Sequence, residues 1–397
     1  MKDLLQRSVL IPLVMILMIQ SIITMAAYGI PVVTAVVAAD LGIAPTLVGG
    51  LVSVIYFVAM LTGLLSGALV ARFGARASFQ AMLGFTGIGM MLIGLGNPFG
   101  MVLGAALLGV GTGPMNPIGS HVLARVSPAD WRPLIFSLKQ CGTPLGGALA
   151  GVILPPLLLA YGWNIAIQVI PAAALAAIAL AAIIGVGPSE PRRENAQFAF
   201  GDAIATLKLV ARSPVLRPYA VAGLGFAGCQ LAMTTYLVVY LWTEIKLAPE
   251  LAGLTFSIVH VTGISARIAL GAIAERWIPT HVLLGLLGLV MMVGLAGLAF
   301  STPAWPPVTF MVLAAIFGIG GNGWVGLFFS EIARRAPEGR TADAAGGAQF
   351  FMYIGITTGP IVGGTLISLT GYPITFGIFA AISLLCGILL YRVAGAD

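Results

Sequence analysis

Charge is what this chain has least of. Asp, Glu, Lys and Arg make up only 8% of its 397 residues, against roughly 25% in an ordinary soluble domain. With 59% hydrophobic residues and a mean hydropathy of +1.06, too little polar surface remains to cover a water-exposed exterior. A soluble fold is excluded, and the chain reads as a polytopic membrane protein. Cysteine is almost missing too. Cys141, Cys229 and Cys386 lie in apolar stretches with no C-x-x-C pair, so neither a disulfide framework nor a metal site is expected. There is no Walker pattern, no dinucleotide fingerprint, no metal-ligand spacing and no nucleophile–base constellation. The chain is therefore read as a non-enzyme without cofactor or metal. No carboxylate occupies the middle of an apolar run, since Asp40, Glu244 and Glu331 all sit near ends, and that disfavours a cationic substrate.

What is present is length of apolar sequence. Runs long enough to cross a hydrocarbon core of ~30 Å lie near 10–38, 47–70, 79–96, 101–124, 134–160 and 165–186. After a break they lie near 217–243, 251–274, 281–300, 308–332, 346–369 and 374–391. The first run is too long for a signal-peptide core and is expected to stay as an anchor. The expected fold is all-α and integral to the membrane: twelve transmembrane helices as two six-helix bundles. Residues 1–186 form one bundle, 217–397 the other, and 187–216 a cytoplasmic linker. Phe200, Ile204, Leu207 and Val210 recur in that linker at helical spacing, which suggests a helix on the membrane surface.

Orientation follows from the basic residues. Of the 19, only Lys246 falls on the outer side of such a topology, and Lys139 and Arg267 fall within spans; the rest are cytoplasmic. Positive charge resists translocation, so both termini are placed in the cytoplasm and the protein in the cell inner membrane. The net charge of +6 thereby becomes a matter of topology, and a nucleic-acid partner is excluded.

The two halves superimpose at an offset of 204 residues. Ala44-Pro45, Leu47, Gly49, Ser53, Gly67, Ala68 and Arg72 fall on Ala248-Pro249, Leu251, Gly253, Ser257, Gly271, Ala272 and Arg276, and Asp40 falls on Glu244. Two similar halves imply a duplicated bundle with a pathway between them. The repeated loop, Gly67-x-x-x-Ala71-Arg72-x-Gly74-x-Arg76 and Gly271-x-x-x-Glu275-Arg276, resembles the signature of the major facilitator superfamily. So do the elements Gly142-Thr-Pro144-Leu-Gly146-Gly147 and Gly359-Pro360-Ile-Val-Gly363-Gly364, which look like that family's bends in spans 5 and 11. The resemblance implies a transporter whose cytoplasmic gate involves Arg72, Gly74, Arg76, Glu275 and Arg276. Ala71 replaces the family's acid, which leaves Glu275 as the acidic partner of that lock. Arg132-Pro133-Leu134 with Leu138, Gly142, Pro144 and Gly146, and Arg267 four residues before Gly271, are similar to the monocarboxylate and oxalate carriers. In those carriers an arginine at that place holds a substrate carboxylate.

Ionisable groups at membrane depth cost at least ~2.5–3.5 kcal/mol each on insertion scales, so the few that occur are candidates. Lys139 lies roughly 9 Å into span 5, and Arg267 roughly 12 Å into span 8, at helical rise. The family resemblance implies that these spans face a shared cavity, where two cations would favour an anion. His260 is two helical turns before Arg267, on the same face, and is either a proton carrier, a substrate contact or a packing element. At the repeat offset it corresponds to Tyr56. Tyr28, beside an expected break at Gly29-Ile30-Pro31, is a further cavity candidate. Gln20, Gln140, Asn116, Asn322, Trp324, Gln349 and Tyr353 are expected to bond between helices. The substrate-binding set is thus Arg267, Lys139, His260, Tyr28 and Tyr56. The expected function is a secondary active transporter of a small organic anion, a carboxylate, working as a monomer in the lipid bilayer by alternating access, with proton symport or anion exchange as energy source. The alternatives are a proton-driven exporter of hydrophobic compounds and a non-transporting membrane sensor.

Overall fold

A computed structural model describes residues 6–128, 131–187, 201–338 and 340–394, with side chains described except at 133, 201–205, 275–276, 342 and 393–394. Among the described residues there is no strand. The helices, in chain order, are α1 (Arg7–Leu41), α2 (Val48–Gly63), α3 (Ser66–Phe73), α4 (Ala75–Ile93), α5 (Pro98–Thr112), α6 (Met115–Val126), α7 (Arg132–Gln140), α8 (Gly142–Tyr161), α9 (Trp163–Ala166) and α10 (Val169–Ile184). They continue as α11 (Gly201–Arg212), α12 (Arg217–Thr243), α13 (Pro249–Arg276), α14 (Thr280–Ala299), α15 (Pro307–Arg335) and α16 (Thr341–Ala394). Among the described residues, 10 helical stretches are long and apolar enough to cross a bilayer. The protein is a multi-pass integral membrane protein.

The described residues form two compact units. One takes in the chain up to Val37 and from Val54 to Gly187; the other takes in Ala38–Ser53 and everything from Gly201 onward. Segment 38–53, the end of α1, the turn after it and the start of α2, packs in the second unit. A hydrogen bond explains why. The hydroxyl of Tyr236 on α12 reaches the main-chain oxygens of Thr46 at 3.0 Å and of Pro360 on α16 at 2.8 Å.

Within the first unit, Ile16, Ile19 and Ile23 of α1 pack with Phe79 and Leu83 of α4, Ile118 and Leu123 of α6 and Ile135 of α7. Lipid offers apolar side chains no hydrophobic gain, so close packing and hydrogen bonds hold such helices together. Gln20 of α1 donates to Thr143 of α8 at 2.7 Å. A Cβ on Gly89 of α4 would lie 2.7 Å from the Gly104 oxygen of α5, so glycine is what lets those two backbones meet. Pro31 does not break α1, contrary to expectation: the helix runs unbroken to Leu41. A membrane helix absorbs a proline when neighbouring groups satisfy the freed backbone. The breaks fall elsewhere, at Gly113-Pro114 between α5 and α6 and at Cys141 between α7 and α8.

In the second unit α12 and α14 pack on α16, and α13 on α15. The linker helix α11 is present, but Val210 is fully buried against Gly347 of α16, so this position of the expected surface face meets protein. Phe200 and the Ile204 side chain lie outside the described set. Gly371, at φ 80 and ψ 171, turns the chain within α16. An L side chain rarely adopts that conformation.

Candidate functional site

Lys139 occupies the last turn of α7 and is 1% exposed. Its ammonium is directed at α6, where Asn116 and Ser120 stand one turn apart on the same face. Nζ donates to the Asn116 main-chain oxygen at 2.9 Å, to Ser120 Oγ at 2.8 Å and to Asn116 Oδ1. Gly119 leaves room for the stem, since a Cβ there would sit 3.2 Å from Lys139 Cε. All three partners are neutral, and no carboxylate among the described residues is bonded to this ammonium.

In the second unit the candidate cation is Arg267, on α13. Its Nε donates to the main-chain oxygen of Asn322 on α15 at 2.8 Å. Asn322 is itself held on two sides. Its Oδ1 accepts from Gln230 of α12 at 2.9 Å, and its Nδ2 reaches the Val259 oxygen at 3.4 Å. Gln230 accepts in turn from Trp324 Nε1 at 3.1 Å. Trp324 is fully buried between the edges of Phe226 and Phe328, at centroid distances of 5.5 and 5.3 Å. The arginine is thus positioned through an amide and an indole in an aromatic core. Gln230 was not anticipated from the sequence; an amide at mid-span was its signal, shared with several others that were. His260 is fully buried on α13, its ring 4.7 Å from that of Phe256.

The remaining expected residues are dispersed. Tyr28 is buried in the first unit, and Tyr56 is half-buried on α2. Gly74 separates α3 from α4 at φ 80 and ψ 160. Arg72 is exposed with its guanidinium 5.5 Å over the Phe73 ring. Arg76 donates to the Ala182 oxygen in the last turn of α10, a cation at a helix C-terminus where the macrodipole favours it. That contact ties two helices of its own unit. The Glu275 and Arg276 side chains, expected at the gate, lie outside the described set. A second buried ionic group went unsuspected as a cluster. Glu331, 1% exposed, accepts from Arg335 at 2.7 Å, Arg334 at 2.5 Å and the Tyr219 hydroxyl at 3.3 Å. The Arg335 guanidinium also lies 5.2 Å over the Tyr219 ring. The run Glu331-x-x-Arg334-Arg335, with partners three and four residues on, carried that signal.

A sequence profile of the Major Facilitator Superfamily matches residues 16–356. The chain belongs to this superfamily. It is 27% identical over 308 residues to a probable nitrate/nitrite transporter, NarK2, of Mycobacterium tuberculosis, covering 75% of this chain and 73% of that one. It is 25% identical over 367 residues to the transcription regulatory protein OpdE of Pseudomonas aeruginosa, covering 90% and 87%. A solved POT family transporter in complex with 5-aminolevulinic acid superimposes with a TM-score of 0.78 over 97% of this chain and 96% of that one, at 14% identity. That likeness shows the fold. The Major Facilitator membership makes this chain a membrane transporter by family.

Proposed function

We propose that this Major Facilitator protein is a secondary transporter of a small planar oxyanion, a carboxylate in the first place, working by alternating access. The observation that carries the reading is Lys139. An ammonium sealed in an apolar unit and bonded only to neutral oxygens leaves positive charge in the membrane interior, and buried charge is stabilised by a counter-charge. Arg267 adds a guanidinium whose fork matches two oxygens of a carboxylate or of nitrate. The likeness to a nitrate/nitrite transporter supports an anion.

The same reading has twelve spans. α16 is 54 residues long, roughly 80 Å at helical rise, which is two crossings joined at Gly371; α4, with 19 residues, supplies another. The termini are cytoplasmic, the membrane is the cell inner membrane, and the working form is a monomer. Coupling is by proton symport, with His260 as carrier, or by anion exchange. Differential affinity for the two access states is what lets a gradient drive the cycle.

The test is a thermal-shift screen of purified protein against nitrate, nitrite, mono- and dicarboxylates, sugars, amino acids and lipophilic dyes, since a ligand stabilises the state it binds. Saturable stabilisation by one class of oxyanion, followed by uptake of that anion into proteoliposomes, is expected. Stabilisation by dyes alone would favour the exporter. The likeness to OpdE favours a second reading, a membrane sensor, whose mark is anion binding without uptake.

A further inference from the structure

At the C-terminal end of α12 the second unit has a cavity of about 490 Å³, within the range of small-ligand sites. Its lining includes Tyr240, Tyr372 and Ser301, and Pro45 and Thr46 from segment 38–53. Glu244 is the only charged side chain in its lining, and it is exposed at the rim. The Tyr240 and Tyr372 rings stand 5.0 Å apart, tilted by 43°. Tyr240 is fixed from both sides: its hydroxyl bonds Ser301 at 2.7 Å, and Phe376 meets its ring edge-on at 5.1 Å.

Two tyrosines, a serine and one carboxylate in a single lining are complementary to a cation that carries apolar substituents. The ring quadrupole attracts positive charge within about 6 Å of a centroid, and the carboxylate attracts it from the rim. A plain metal ion is a poorer fit, because hard cations want several oxygen ligands in a closed shell. We propose that this cavity binds a small alkylammonium ion, either a soluble one or the amine of a lipid headgroup, and that the bound cation holds segment 38–53 against α12 and α16. The second half follows from the lining. Pro45 and Thr46 are wall residues, and the same segment is tied to the unit by Tyr236 and by Ser368, whose hydroxyl bonds that of Thr46 at 3.3 Å. An occupant contacts both sides of that tie. The proposal is independent of the anion reading, since its ligand has the opposite charge and none of Lys139, Arg267 or His260 takes part.

The probe is choline, titrated by calorimetry and by thermal shift into the full-length protein in detergent at constant ionic strength. Saturable binding and a raised unfolding temperature are expected. Glu244→Gln, at an exposed position that leaves the fold intact, is expected to weaken binding roughly tenfold or more, the loss of one charge-assisted contact. Tyr372→Phe keeps the ring and is expected to retain binding. Tyr236→Phe, which cuts the tie to Thr46, is expected to lower choline affinity without touching the cavity. The neutral isostere 3,3-dimethyl-1-butanol is expected not to compete. In nanodiscs, weaker choline binding with phosphatidylethanolamine than with phosphatidylglycerol assigns the site to a lipid amine, and equal binding assigns it to a soluble cation. Absence of saturable choline binding, full binding by Glu244→Gln, or equal stabilisation by the neutral isostere would each overturn the proposal.

Discussion

Arg267 takes its position from Asn322: a guanidinium nitrogen on α13 donates 2.8 Å to a main-chain oxygen on α15. A lysine side chain has no second nitrogen with which to keep that bond and still present a fork. The geometry that matters here belongs to the pair rather than to the charge.

Arg267→Lys is therefore expected to lose anion affinity while the protein still inserts and folds. A charge-assisted bond contributes about 1.5–3 kcal/mol, so binding of the anion identified by screening should weaken by roughly 10- to 150-fold. Lys139→Ala should weaken it less, because its three N–H donors are already taken up by Asn116 and Ser120 and it acts on the anion by charge alone. Binding measured on monodisperse protein decides, and unchanged affinity in both variants would remove the support for an anion.

Gln230→Leu should act on the same site from a distance. It removes the donor to Asn322 and the acceptor of Trp324. Hydrogen bonds between membrane helices contribute about 0.6–2 kcal/mol each, so a fall in unfolding temperature should accompany a fall in anion affinity. A stability loss with affinity intact would show that Arg267 does not depend on this network.

Glu331 and its two arginines separate buried from exposed pairing. Arg335 has 7% of its side chain exposed and Arg334 63%. Glu331→Gln takes the carboxylate away from the buried Arg335 guanidinium and should cost of order 3 kcal/mol, whereas Arg334→Gln should cost under about 1 kcal/mol. Denaturation of the two variants side by side is the measurement, and equal losses would mean that burial does not set the strength of this cluster.

Neighbouring glycines offer an internal control for the docking of segment 38–53. A Cβ on Gly49 would lie 2.9 Å from the Pro360 carbonyl carbon and closer still to the Tyr236 hydroxyl, while one on Gly50 meets nothing within 4 Å. Gly49→Ala should lower the unfolding temperature. Gly50→Ala should leave it unchanged or raise it slightly, because alanine is favoured over glycine in a helix by up to about 1 kcal/mol.

Topology is open to labelling. A cysteine at exposed Pro214, between α11 and α12, should react only from the cytoplasm, and one at exposed Lys246 only from outside. Labelling of both from the same side would overturn the twelve-span reading.

The helical, membrane-spanning character was legible because a run of twenty apolar residues has few other physical meanings. Lys139 and Arg267 were legible for the converse reason: a charge within such a run is expensive enough to demand a cause. The breaks were harder. Pro31 and Pro114 look alike in sequence, yet α1 continues through one and α5 gives way to α6 at the other. A membrane helix can carry a proline where its surroundings satisfy the freed backbone, and those surroundings are tertiary. Gln230 was hidden because a lone amide in a span reads the same whether it bonds one helix or two. The home of segment 38–53 was hidden as well, since its tie is a tyrosine hydroxyl 190 residues away meeting a main-chain oxygen.

Gly371 joins the two arms of α16 with no loop between them, its own φ of 80° making the turn. Helix resumes at once on either side of that one residue, so no loop is there to absorb added sequence. A peptide tag or protease site placed there would have to unwind helix on both sides. Like Gly74 between α3 and α4, it is a poor place to cut, lengthen or label the chain.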